Sequence, residues 1–502
     1  MSLSKKKKHI HKKNTKKNTK KNTKKNTKKN TKKNSTKKSS HKNNNRNNFP
    51  LKLYKNDSGI RLVIMPNRNE TQSASLFFYF KVGSKNETPD IQGISHFIEH
   101  MLFKGSPKFP NYLDISKTFD SKGISFNAYT SKEITAYHYK FLSTKENLDL
   151  ICKITSEMLF NSLIRDKDIS PERNVIVQEY NDSIDDINDY IDDKLEECIF
   201  EGHPLGPPII GTLDTLKKIN REAIIKYYKE HYTPDNLVIG LSGNINNDAI
   251  PIIDKYFKNK VGNMHTGHSH SEHSHTHTHN TFTHIDINKY TPGMTSMIPF
   301  VDKHPFYKID CFPKKLTQDY INIVFKTKGY YDPNRYYYKL ISNILGAHMS
   351  SRLFIEIREK LGLVYSIKCD MTNYDEIGYF NIHTQNENKE TMKCIEEIFK
   401  QLTKLITYGV SDTELTNNKT NYCDIYKTNF DDIEYENEFY CNQILFNKPL
   451  ETLQNRIDKI QAITKEQVLV ASKELFNFNK VHIITFGKIK KDKIEILIKK
   501  LI

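Results

Sequence analysis

The chain has 502 residues and a formal charge of +18, from 77 Lys or Arg against 59 Asp or Glu. It is too long for one hydrophobic core, so two domains of about 200 residues each are expected, and it contains no apolar run of about 18 residues that would cross a membrane. The charge looks like a nucleic-acid or membrane signal until it is mapped: residues 1–48 hold 20 of the 77 bases and no acid, leaving 57 against 59, so the remainder is close to neutral.

Residues 1–48 repeat Lys-Lys-Asn-Thr from Lys12 onward. Such a segment has no apolar face to bury and is expected to be a disordered tail. Its composition suits non-specific contact with polyanions, and equally a merely solvated extension. It lacks the apolar centre of a secretory signal and the Arg-rich amphipathic pattern of a transit peptide. The seven cysteines, Cys152, Cys198, Cys311, Cys369, Cys394, Cys423 and Cys441, are scattered and odd in number. That fits reduced thiols in an intracellular compartment, cytoplasmic or mitochondrial.

Leu51–Tyr54 and Ile60–Met65 flank the turn Asp57-Ser58-Gly59 and read as a hairpin. Ser73–Val82 alternates around Leu76, Phe78 and Phe80 as a third strand. The next stretch, Ser95 to Phe103, carries the chemistry. On a helix, His96, Glu99, His100 and Phe103 share one face, so two imidazoles and a carboxylate point at one spot. Two neutral imidazoles one turn apart can bind one Zn²⁺, and a Glu between them that is not a ligand can take a proton from bound water. The order His-x-x-Glu-His is the inverted zincin pattern. The plain alternative is a core helix with two satisfied histidines, and a third ligand downstream argues against it.

Tyr112–Phe119 reads as a helix, residues 125–139 as a strand pair, and residues 148–163 as a further helix. A long helix is then expected from Pro171 to Phe200, with Ser170 as N-cap and Pro171 at the first helical position. Glu172, Val175, Ile176 and Glu179 share a face of it, and Glu179 is the candidate third ligand. Glu172 would also suit the first turn through the helix dipole alone. Asp182, Asp185, Asp186, Asp189, Asp192 and Asp193 read as a solvated acidic face. The strand Leu237–Gly243 closes the first half. Residues 263–306 form a linker in which His alternates with Ser and Thr between His265 and His284, expected to be a surface loop that binds divalent metals weakly.

The second half repeats the first. Phe77-Phe78-Tyr79-Phe80-Lys81 resembles Asn322-Ile323-Val324-Phe325-Lys326 at an offset of 245. The same offset places Ile341-Ser342-Asn343-Ile344-Leu345 where His96 to His100 stand, so the second copy keeps the helix and lacks every metal-site residue. An amphipathic helix then runs through Arg358, followed by Gly362 and the strand Leu363–Ser366. From these residues alone, Arg358 is a surface cation and Tyr365 a strand residue.

Five blocks in order resemble the pitrilysin and insulysin family of zinc metallopeptidases, most closely the branch that includes the mitochondrial processing peptidase and its bacterial relatives. They are Gly93 to Gly105, Asn127 to Ser131, Glu172 to Glu179, His203-Pro204-Leu205-Gly206 with Gly211-Thr212, and Ser351 to Ser366. The resemblance covers residue 49 to the C-terminus. It implies an α+β fold of two related domains, each a curved mixed β-sheet backed by helices, which together form half of a clamshell. The zinc-binding domain would span 49–262 and its relative 307–502. It also implies a zinc metalloendopeptidase that holds one Zn²⁺ per chain and cuts extended peptides or unfolded segments.

By the same resemblance, His96, His100 and Glu179 would be the zinc ligands and Glu99 the general base. Glu172 would orient a ligand, and Asn127 and Ala128 would lie on an edge strand to which substrate adds as a further strand. Arg358 and Tyr365 would donate to the substrate carbonyl. Because one chain carries both the zinc motif and this pair, a homodimer, or a heterodimer with a related subunit, is expected in which the pair serves the facing protomer. His348 and Met349 interrupt what is often a glycine run. The alternative is a non-catalytic or partner-dependent subunit of a processing-peptidase-like complex, which would be expected to lose Glu99 or a ligand; none is lost.

Overall fold

The computed structural model describes residues 50–245, 247–258, 260, 281–293, 299–304 and 306–502. The Lys-rich tail and most of the His-rich tract lie outside these residues. In the first half the chain forms β1 (Lys52–Lys55), β2 (Arg61–Ile64), β3 (Ser73–Phe80), α1 (Ile94–Leu102), α2 (Tyr112–Asp120), β4 (Ser125–Thr130) and β5 (Thr135–Leu142). There follow α3 (Lys145–Phe160), α4 (Asp166–Asp185), α5 (Ile187–Ile199), α6 (Leu213–Lys218), α7 (Arg221–His231), β6 (Leu237–Gly243), α8 (Ala249–Phe257) and β7 (Thr283–Ile285). The second half begins with β8 (Lys308–Pro313), β9 (Gln318–Lys328), α9 (Arg335–Gly346), β10 (Ile367–Asn373) and β11 (Ile377–Glu387). It ends with α10 (Thr391–Tyr408), α11 (Asp412–Asn429), α12 (Ile433–Leu445), α13 (Leu453–Gln461), α14 (Lys465–Leu475), β12 (His482–Gly487) and α15 (Lys491–Leu501).

The strands make two mixed sheets, ordered β4-β5-β3-β6-β2-β1-β7 and β10-β11-β9-β12-β8. Each has one parallel pair, β2 with β6 and β8 with β12, among antiparallel neighbours. The two halves are copies of one α+β plan: β3 and β9 start 245 residues apart, as do β6 and β12. In the second copy Ile341, Ile344 and Leu345 are fully buried in the core. Apolar side chains there occupy the positions of His96, Glu99 and His100, so the duplicated helix packs into its core where the first carries polar groups.

Both faces of each sheet are covered, which is why β3 reads as a nearly continuous apolar run. On one face Leu76, Phe78 and Phe80 pack with Phe97, Ile98 and Met101 of α1. On the other, Phe77 and Tyr79 pack with Tyr440, Cys441 and Ile444 of α12, a helix from the second half. The exchange is reciprocal, for Val324 and Ile484 of the second sheet pack with Ile191, Leu195 and Ile199 of α5. Gly240 in β6 permits the close approach of α12: a Cβ there would lie 2.1 Å from Asn437 Oδ1 and 2.4 Å from Cys441 Sγ. Gly240→Ala is therefore expected to lower stability by about 1–3 kcal/mol through overpacking, measured as a drop in Tm.

Two local expectations are corrected. The helix expected over 171–200 is two helices, broken at the extended residue Asp186, whose side chain caps α5 by accepting from Asn188 N. The first of them starts at Asp166, so Pro171 lies inside α4 rather than at its start. Residues 363–366 are not a strand; β10 begins at Ile367, and the amphipathic segment before it is a π-helix over Phe354–Lys360.

Candidate metal centre

α1 opens at Gly93, whose φ of +95° is one that side-chain-bearing residues rarely adopt. A Cβ at Gly93 would also stand 2.5 Å from Ile210 O. Glycine cannot cap with a side chain, and Glu87 supplies what is missing: its carboxylate accepts from Gly93 N at 2.7 Å and Ser95 N at 2.8 Å. A carboxylate at a helix N-terminus satisfies orphan N–H groups and complements the dipole. Burial pushes Glu87 up to about 7 despite those bonds. The first turn of α1 is thus fixed from outside, and His96 sits in that turn.

His96, His100 and Glu179 come together. Their ligand atoms lie within 4.8 Å of one another, the one such His/Cys/Asp/Glu group among the described residues. His96 Nε2 and His100 Nε2 are 3.2 Å apart, and Glu179 Oε2 is 3.5 Å from each. Tetrahedral zinc with bonds of about 2.0–2.2 Å would hold its ligand atoms about 3.3–3.6 Å apart. The spacing and the donor set therefore fit zinc. Burial, and then the neighbouring His100 ring, push His96 down to about 3, keeping it in the neutral form a ligand needs.

His100 is oriented from behind. Its Nδ1 donates to Glu172 Oε1 at 2.8 Å, leaving Nε2 toward Glu179. Lys104, one turn further along the chain, pairs with the other oxygen of Glu172. Burial alone would raise Glu172, but the bonds from His100 and Lys104 outweigh it and hold the carboxyl below its ordinary value. Burial alone would lower His100, and the bond to Glu172 with the charges of Glu179 and Glu99 raises it instead. Glu172 lies well inside α4, beyond the first turn, so the dipole does not explain it; its contacts do.

Glu99 points from the same helix and is 9% exposed. Burial raises its pKa, toward the range useful for exchanging protons near neutrality. Its Oε2 accepts from Thr130 Oγ1 at 2.6 Å. Thr130 ends β4, the edge strand of the seven-stranded sheet. Glu87, Lys104 and Thr130 had no role assigned from sequence. For Thr130 the signal is strand parity, since it shares a face with Phe126 and Ala128, which pack in the α1-side core.

The same parity separates Asn127 from Ala128. Ser131 N donates to Ile134 O, and antiparallel ladders alternate, so Asn127 and Tyr129 spend their main-chain groups on β5. Phe126, Ala128 and Thr130 direct theirs to the free edge. Asn127 shares its face with Tyr129, which packs in the opposite core.

Arg358 and Tyr365 meet each other. Arg358 Nε donates to Tyr365 O at 2.9 Å, and the guanidinium stacks 4.6 Å from the Phe354 ring. Tyr365 is 77% exposed. Among the described residues, no hydrogen bond or ion pair joins either one to His96, Glu99, His100 or Glu179. All seven cysteines are free, and no helix among the described residues is long and apolar enough to cross a membrane.

Residues 62–213 match a family model described as Insulinase (Peptidase family M16), and residues 218–422 one described as Peptidase M16 inactive domain. The uncharacterized zinc protease YmxG of Bacillus subtilis is 29% identical over 85% of this chain and 96% of its own length. An uncharacterized zinc protease of Rickettsia felis is 30% identical over 74% of this chain and 82% of its own. Among solved structures, a protease from Helicobacter pylori superposes with a TM-score of 0.74 at 19% identity, covering 87% of this chain and 99% of the other. A peptidase M16 inactive domain from Pseudomonas fluorescens gives 0.73 at 17% identity, covering 88% and 98%. At those identities the likeness concerns the fold.

Proposed function

This chain belongs to the M16, or insulinase, family of peptidases, and from that premise we propose that it is a zinc-dependent endopeptidase acting on extended peptides or unfolded segments. The observation that carries this reading is the convergence of His96, His100 and Glu179 next to Glu99, beside a sheet edge with free main-chain groups. His96, His100 and Glu179 hold one zinc per chain. When bound, the ion supplies Lewis acidity, making water more acidic and polarising the scissile carbonyl.

Glu99 takes a proton from the attacking water at its carboxylate and returns it to the leaving nitrogen. Glu172 keeps the His100 ring in the tautomer that leaves Nε2 free. A substrate strand adds to β4 through the outward main chain of Ala128, with Asn127 contributing from the other face. Arg358 and Tyr365 donate to the carbonyl oxygen as it gains charge. The lack of any hydrogen bond or ion pair from them to the triad among the described residues and the exposure of Tyr365 favour their acting on the zinc site of a facing second copy, in a clamshell dimer organised like a processing peptidase. The working division of the chain is a peptidase domain at 49–262, a linker at 263–306 and a related domain at 307–502.

Dialysis against a strong zinc chelator tests the reading. Activity on a quenched fluorescent peptide library is expected to fall by at least about 100-fold and to return with added Zn²⁺ but not Mg²⁺. Undiminished cleavage by metal-free protein would overturn it.

A further inference from the structure

Resting on the reading of Glu99 as the base, we propose that Thr130 is the positioning residue that holds the Glu99 carboxylate in its reactive orientation. The hydroxyl must be the donor, because an ionised carboxylate only accepts. At 2.6 Å the bond falls in the short range of charge-assisted O–H···O⁻ contacts. It is also the one hydrogen bond the Glu99 carboxylate makes among the described residues. A Glu side chain left without it would sample several rotamers about its three rotatable bonds, and each departure from the productive orientation lowers the fraction of reactive encounters.

One oxygen is therefore anchored, and the other is left to accept the proton. His100 and Glu179 are steadied by being ligands, whereas the base is not a ligand and needs a separate restraint. Thr130 can supply it because β4 pairs it with Thr135 and the adjacent Ser131–Ile134 bond closes the hairpin beside it. Its side chain lies on the α1 face while its main-chain groups look to the free edge. The residue thus touches the base with its hydroxyl and offers its backbone to an added strand. A peptide seated along β4 would tighten the strand end that holds the base, so docking and base orientation share a residue.

A merely structural Thr, with its methyl packed and its hydroxyl bonded to the nearest acceptor, makes a different prediction. Thr130→Val keeps the shape and removes the hydroxyl; Thr130→Ser keeps the hydroxyl and removes the methyl. With a quenched fluorescent peptide, Thr130→Val is expected to lower kcat by about 10-fold to 100-fold. KM is expected to stay within about twofold of wild type, with zinc content and Tm unchanged, and Thr130→Ser should recover to within about threefold. Normal kcat in Thr130→Val, or Thr130→Ser as slow as Thr130→Val, would overturn the proposal. Glu99→Gln serves as the reference. If it is inactive while Thr130→Val is normal, the role of Thr130 alone is wrong; if it is fully active, the assignment of the base fails and takes this proposal with it.

Discussion

Glu99→Gln is expected to lower kcat by about 10³-fold while the protein keeps its zinc. Gln has the shape of Glu and can still accept from the Thr130 hydroxyl, so the cradle of contacts around the side chain stays. What it loses is the ability to take up a proton. His96, His100 and Glu179 are untouched by the change, so metal analysis of the purified variant should match wild type. Turnover of a quenched fluorescent peptide, measured beside that metal analysis, separates loss of the base from loss of the ion. A variant that still cuts at the wild-type rate would remove Glu99 from the chemistry.

The second large effect concerns Tyr365. On the proposed mechanism Tyr365 is a donor to the developing oxyanion, so Tyr365→Phe is expected to cost about 10²-fold in kcat, although the residue is exposed. Mixing this variant with Glu99→Gln then discriminates how the site is built. In a two-fold dimer that shares residues across the interface, each mixed dimer has one site with both groups intact and one with neither. Random exchange makes about half of the dimers mixed, so about one quarter of wild-type activity should return. If Tyr365 serves its own chain, or if no dimer forms, the mixture shows only the mean of the two defective proteins.

The helix carrying the candidate metal residues was legible in sequence because His96, Glu99 and His100 stand at helical spacing, and α1 brings His96 and His100 to Glu179. The duplication was legible as well, since the offset of 245 survives in the strands that form the middle of each sheet. The residues around the metal group were harder to read, for a physical reason. Glu87, Lys104 and Thr130 act through contacts set by tertiary packing, and no periodicity announces which acceptor a lone hydroxyl or carboxylate will meet. Pro171 misled in a more specific way. Proline favours a first helical position, but α4 begins a full turn earlier and carries it inside, which is why spacing alone made Glu172 look like a first-turn carboxylate, while the ligand-orienting role came only from the family resemblance. Asn127 and Ala128 are told apart by the β4–β5 register and by which of its pairs are hydrogen-bonded, a phase carried by the Ser131–Ile134 bond and by no residue pattern.

The crossed covering of the sheets, α12 over the first and α5 over the second, bears on how the chain is made. During synthesis six of the seven strands of the first sheet can assemble once β6 has emerged at Gly243, but α12 cannot cover the second face until Ile433 leaves the ribosome. At about 5–20 residues per second, that is roughly 10–40 s of exposed Phe77, Tyr79 and their neighbours. Through this interval the nascent first half is an incomplete object with a greasy side, a natural client for chaperones, and a stop codon anywhere in the second half before α12 would strand it there.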